Sequence, residues 1–224
     1  MTFSIVGRCA TTGQVGLAIS SSSPAVAARC AFARAGVGAV ATQNVTNPAL
    51  GPAVLAGMAD GLTAPEALAA AMEEEAFPEY RQVLVVGSSG ATAMHSGARA
   101  LGLWTAAEGA DCAAGGNLLA DLGVPAAMVA AFEGTRGLLG DRLIAAMEAG
   151  LSAGGEAGPV HSAGMLIHHR QAWPYAELRC DWTEEDPIAA IAAAWEVYKP
   201  QAEAYVTRAL DPRAAPSYGV PGDA

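Results

Sequence analysis

One lysine stands in 224 residues, and positive charge of any kind is scarce: 12 Lys and Arg against 22 Asp and Glu leave a formal charge of −10. A surface so poor in cations cannot track a phosphate backbone, which excludes a nucleic-acid partner. Cysteine is sparse too. Cys9, Cys30, Cys112 and Cys180 stand singly, with no C-x-x-C pair and no disulfide-like framework, so they read as reduced thiols. The four histidines, at 95, 161, 168 and 169, fit no H-E-x-x-H or comparable ligand spacing, and no metal is expected. No G-x-G-x-x-G follows the first strand, and the glycine-bearing stretches 97–102 and 134–137 lack the G-K-[ST] ending of a phosphate loop. No cofactor is expected. A basic leader before an apolar run is also missing, because Arg8 interrupts the first apolar residues, so the protein reads as cytoplasmic. The uncharged stretch 35–59 has bilayer length, but Gln43, Asn44, Thr46, Asn47, Pro48 and Pro52 rule it out as a membrane span.

What is present is apolar. Hydrophobic residues make up 52% and charged residues 15%, far from the composition of disordered chains. The length suits a single domain over residues 1–199, with residues 200–224 as a C-terminal arm. The chain opens with alternation: Phe3 and Ile5 face one way, Thr2, Ser4 and Val6 the other, the period of a strand. Residues 15–20 are apolar on both parities and read as the return arm of a hairpin buried on two faces. A third strand is expected over 36–42. Asn47-Pro48 then reads as a helix start and Gly61 as its end, and Thr63 with Glu66 forms a capping box for a second helix to about residue 75. A hairpin over 81–95 and strand-like pieces near Leu103 and Cys112 follow. Two further helices are expected, the second ending at Gly150, then strands over 162–168 and 176–181, and a last helix capped by Asp186-Pro187. Hairpins imply antiparallel sheets, and helices arriving in pairs imply helical layers, which together give an α+β layered sandwich. Strands and helices do not alternate singly, against a Rossmann domain.

Thr2 is the first candidate for chemistry. Removal of Met1 would leave a hydroxyl nucleophile on the same residue as its own base, an α-amine of pKa about 8; the bland alternative is an ordinary strand threonine. Polar residues then cluster where apolar elements end: Ser20 and Ser22 in the run 20–23, Gln43, Asn44 and Asn47 after the third strand, Gly116 and Asn117 after a later one, and His161-Ser162 opening another. Strand ends are where sites are built, and amides with glycine N–H groups can hold a carbonyl or an oxyanion. His161 is the candidate proton carrier. Asn, Ser and Gly are equally the ordinary residues of caps and turns.

Met1-Thr2-Phe3-Ser4-Ile5-Val6, the block from Arg34 to Asn44 (RAGVGAVATQN), Ala114-Gly115-Gly116-Asn117-Leu118-Leu119 and His161-Ser162-Ala163-Gly164 resemble the bacterial domain of unknown function 1028 family over nearly the whole chain. That family resembles the N-terminal nucleophile (Ntn) hydrolases in fold. The resemblance implies a four-layer αββα sandwich of two antiparallel sheets, with Thr2 at the position of the nucleophile. Two features depart from a proteasome-like site. The acidic residue after the second strand and the lysine after the third are replaced by residues 20–23 and by Gln43-Asn44, while Lys199 lies in the last helix. Without that lysine, the amine loses an electrostatic support of about one pKa unit or more.

Two functions are therefore carried forward. One is a small-molecule amide hydrolase, with Thr2 and His161 catalytic and Ser20, Ser22, Gln43, Asn44, Gly116 and Asn117 lining a strand-end cleft. The other is a non-catalytic ligand-binding or assembly protein on the same fold; a third reading makes Cys30 or His161 the reactive group without Thr2. A homodimer is expected, held partly by the arm, because Tyr205, Val206, Leu210, Tyr218 and Val220 would otherwise expose apolar area at about 25 cal/mol per Å².

Overall fold

A computed structural model describes residues 1–219. Val220 and Pro221, assigned to the arm on sequence grounds, lie outside them. The opening hairpin is β1 (Thr2–Arg8) and β2 (Val15–Ser21), in antiparallel register from Phe3 opposite Ser20 to Arg8 opposite Val15. The short helix α1 (Ala27–Cys30) leads into β3 (Ala31–Arg34), paired with β4 (Gly38–Asn44). Then come helices α2 (Leu50–Ala59) and α3 (Ala64–Glu74), strands β5 (Arg81–Gly87), β6 (Thr92–Ser96), β7 (Thr105–Gly109) and β8 (Cys112–Asn117), and helices α4 (Val124–Gly134) and α5 (Leu139–Ser152). The chain closes with β9 (Ser162–His168), β10 (Ala176–Cys180), α6 (Pro187–Tyr198) and α7 (Ala202–Leu210).

The strands form two antiparallel sheets, ordered β10-β9-β2-β1-β8-β7 and β3-β4-β5-β6. The alternation in β1 decides which core each residue joins. Phe3 and Ile5 face Met128, Phe132, Leu143 and Trp195 of the covering helices, whereas Val6 meets Leu17, Ile19, Leu84 and Val86 between the sheets. A third core lies beyond the smaller sheet, where Val40, Val83 and Val85 pack on Val54, Leu55 and Leu68 of α2 and α3. Both hairpin strands are central and buried on two faces, which is why residues 15–20 carry no polar parity.

Local chemistry fixes several boundaries. Thr63 and Glu66 form the capping box, and Asp186 Oδ1 accepts the N–H groups of Ile188 and Ala189 at 2.8 and 3.1 Å. Three boundaries differ from the sequence reading. The alanine-rich run before residue 36 contains β3, an edge strand too short to show a period. Asn47 accepts the Ala49 N–H at 3.1 Å in a turn, and α2 starts only at Leu50. Helix α5 runs through Gly150, because a side chain there would meet Met128 and Phe3; Gly154, at φ +121°, follows its end.

The described part of the C-terminal segment folds back onto the rest of its own chain. Val206 packs against the helix-covered core, and the Arg208 guanidinium lies 3.6 Å from the centroid of the Tyr218 ring and donates to the Pro216 carbonyl at 2.8 Å. Among the described residues no helix is long and apolar enough to cross a membrane.

Candidate functional site

Thr2 heads the central strand of the larger sheet, directly opposite Asn117 of β8 and facing the space between the sheets. Its hydroxyl donates to the Met1 carbonyl and lies 3.2 Å from Ser21 Oγ. Ser21 Oγ donates in turn to the same carbonyl at 2.5 Å and lies 2.8 Å from Ser23 Oγ, itself held by Arg29 at 2.6 Å. One carbonyl thus receives two hydroxyls at the head of β1. Thr2 is only 6% exposed.

Glu156 stands at the same strand-end corner, a niche bordered by Met1, Ser22 and the loop 154–158. It sits in the loop 154–158, tied to the end of β8 by the Ala157 N–H on the Leu118 carbonyl at 2.9 Å and by the bridge between Leu119 and Glu156. Its Oε2 accepts the Ser22 N–H at 3.1 Å, while Oε1 is fully buried and makes no hydrogen bond among the described residues. Burial pushes its carboxyl up to about 7, against the attraction of the Met1 amino group, the Ser22 hydrogen bonds and His161. His161 enters from the start of β9, its N–H on the Ser21 carbonyl at 2.9 Å. Its Nδ1 donates to the Thr183 carbonyl at 2.8 Å, and its ring stacks on Trp182 at 4.4 Å, while Nε2 makes no hydrogen bond among the described residues.

Beneath Thr2 the sheets are joined by buried amides. Ser4 Oγ donates to Gln43 Oε1 at 2.6 Å; Gln43 Nε2 donates to Gln82 Oε1 at 2.8 Å and to the Gly115 carbonyl at 3.2 Å; Gln82 Nε2 donates to Ser96 Oγ and the Gly116 carbonyl. Asn117 Nδ2 donates to Gln82 Oε1 at 3.2 Å, and Asn117 Oδ1 is buried without a hydrogen-bond partner among the described residues.

Residues 2–191 match the family of unknown function DUF1028. The chain belongs to that family. A crystal structure of protein SPO2555 from Silicibacter pomeroyi, described as DUF1028, is similar at a TM-score of 0.82 and 28% identity, covering 88% of this chain and 86% of that one. Anbu, an ancestral beta-subunit from Yersinia bercovieri, aligns over 91% of this chain and 97% of its own at 10% identity and a TM-score of 0.39. No curated protein matches the sequence.

In this DUF1028 chain the residues singled out from the sequence divide by face and by commitment. Thr2, Asn117 and the main chains of Ser22 and His161 meet at one strand-end edge. Ser20, opposite Phe3, turns to the helix-covered face, where its hydroxyl donates to the Ser162 carbonyl at 3.0 Å. Gln43 is spent on joining the sheets. Asn44, at φ +70°, holds the Tyr80 carbonyl and the Leu101 N–H, a latch between β4 and the 97–104 loop. Gly116 is a packing glycine, since a side chain there would lie 2.5 Å from Leu119. Burial pushes the Cys30 thiol up to about 11, which leaves it protonated and unreactive at neutral pH. Lys199 is far from the niche, paired with Asp141 at 3.2 Å and Glu196 at 2.5 Å.

Sequence reasoning passed over Gln82 and Glu156, and within the polar run 20–23 it singled out Ser20 and Ser22, whereas the hydroxyls beside Thr2 are those of Ser21 and Ser23. The signal for Glu156 was a lone carboxylate in the glycine-rich stretch 154–158, where turn residues alone would suffice. Among the described residues no group of three His, Cys, Asp or Glu side chains is placed to hold a metal ion. Hollows of about 250 Å³ beside Trp173 and Tyr175 and about 490 Å³ between Phe32 and His168 lie elsewhere, and Thr2 lines neither.

Proposed function

We propose that the protein is a small-molecule amide hydrolase of the N-terminal nucleophile type, on a four-layer αββα sandwich, acting through Thr2 once Met1 has been removed. The observation that carries this reading is the hydroxyl pair of Thr2 and Ser21 directed at one carbonyl at the head of β1. Thr2 Oγ1 attacks the amide carbon of the substrate and gives its proton to the α-amine of Thr2, while Ser21 Oγ donates to the oxygen that becomes negative. The ammonium returns that proton to the leaving nitrogen, the C–N bond breaks, and an ester to Thr2 remains. Water, deprotonated by the same amine, hydrolyses the ester to the acid and restores Thr2. Asn117 lines the niche, and His161 is the second proton carrier through Nε2.

Intact mass and turnover on a panel of small amides test this together. Hydrolysis should accompany loss of Met1, and Thr2→Ala should abolish it while costing about 1 kcal/mol of stability for the lost hydrogen bond. Turnover by a protein that retains Met1, or by Thr2→Ala, refutes the mechanism. The burial of Thr2 and the engagement of Lys199 elsewhere favour the second reading, a non-catalytic binder or assembly subunit. In either case we take the protein to be a homodimer to which the arm contributes.

A further inference from the structure

We infer that the niche beside Thr2 is built to receive an α-aminoacyl group, with Glu156 as the acceptor of its ammonium, so that the substrates are amides of L-α-amino acids with an extended apolar side chain. The inference rests on the hydrolase reading and names its substrate class.

Met1 shows how such a group lies. Its carbonyl takes the Thr2 and Ser21 hydroxyls, and its side chain runs to Gly158, where an added Cβ would stand 3.2 Å from the methionine Cε. Gly158 is two residues from Glu156, so the loop that accommodates the side chain also carries the carboxylate. In an ester to Thr2 the acyl carbon is one bond from Oγ1, close to where the Met1 carbonyl now stands, and the acyl group would use the space that Met1 leaves. Glu156 is 5% exposed, with one oxygen held by Ser22 and the other buried without a hydrogen-bond donor among the described residues, while the Met1 ammonium attracts the carboxyl without hydrogen-bonding to it. A buried carboxylate in that state costs several kcal/mol unless it is protonated or paired, and an ammonium is the partner that restores both charge and hydrogen bond. Neither Arg29, committed to Ser23 and to the Pro24 and Ala25 carbonyls, nor His161, committed through Nδ1 to Thr183, hydrogen-bonds to it.

The test uses protein that begins at Thr2, released from a cleavable fusion and checked by intact mass. Three probes are titrated by calorimetry and assayed for hydrolysis: L-methioninamide, its N-acetyl derivative and 4-(methylthio)butanamide, which lacks the amine. L-Methioninamide should bind at least tenfold tighter than the other two, and Glu156→Gln should erase that preference. Equal binding of the three, no binding of any, or a preference that survives Glu156→Gln overturns the inference. Should the variant not fold, the ranking of the probes on the unsubstituted protein decides alone. Selective binding without hydrolysis removes the hydrolase reading and leaves the recognition standing; hydrolysis without selectivity does the reverse. A variant slowed equally on all hydrolysed probes would assign Glu156 to the Thr2 amine, which also overturns the inference.

Discussion

Glu156 makes the stability of this protein depend on pH in a direction opposite to that of an ordinary surface carboxylate. Its carboxyl is raised from 4.5 to about 7 by burial, so the folded state holds a proton that the unfolded chain has released. A shift of that size is worth about 3 kcal/mol at 1.36 kcal/mol per unit. Because the folded value is the higher one, this stability is fully present below pH 4.5 and is lost as pH rises to about 7; above that the side chain is charged in both states, buried in the folded one and hydrated in the unfolded one. Glu156→Gln keeps the shape of the protonated side chain and an acceptor for the Ser22 N–H, but cannot ionise. Urea unfolding of both proteins at intervals from pH 4.5 to 8 isolates the effect, since every other titrating group is common to the two. The variant should gain about 3 kcal/mol on the parent across that range, equivalent to a rise of roughly 6–12 °C in relative Tm at this chain length. Parallel stability curves would refute the claim that this carboxyl is raised by burial, and a gain appearing on acidification would mean that it is ion-paired instead.

Three further outcomes follow from the packing. Gln43→Leu should destabilise by roughly 2–4 kcal/mol in chemical unfolding, because it strands the Ser4 hydroxyl, the Gly115 carbonyl and one bond of Gln82 between the sheets; a neutral result would mean the amides do not join the sheets. Gly140→Ala places a Cβ 2.4 Å from the Trp195 ring and should cost about 1–3 kcal/mol, read as a lower denaturation midpoint with reduced near-ultraviolet dichroism. Light scattering on the full chain and on a chain ending at residue 211 should show a dimer that weakens on truncation; a full-length monomer, or a dimer indifferent to the cut, removes the arm from the interface.

The sequence by itself determined the elements whose signals are short-range. Alternation from Thr2 to Val6 set the faces of β1, two-sided apolarity marked β2 as central, and the boxes at Thr63–Glu66 and Asp186-Pro187 set helix starts, because a cap or a pleat is decided within a few residues. It also marked strand ends as polar. Which of those polar groups remain free for chemistry was decided only in the folded chain, by partners dozens of residues away. Gln43 is spent on Gln82, Asn44 on Tyr80 and Leu101, and Ser20 is turned from Thr2 by the side-chain period of two. Glu156 is the opposite case: in the sequence it is one acidic residue in a glycine-rich loop, and it becomes a strongly perturbed group only because the ends of β1, β2 and β8 close over it and take it from water. Burial and long-range partnership are properties of the assembled layers, and no window of neighbouring residues contains them.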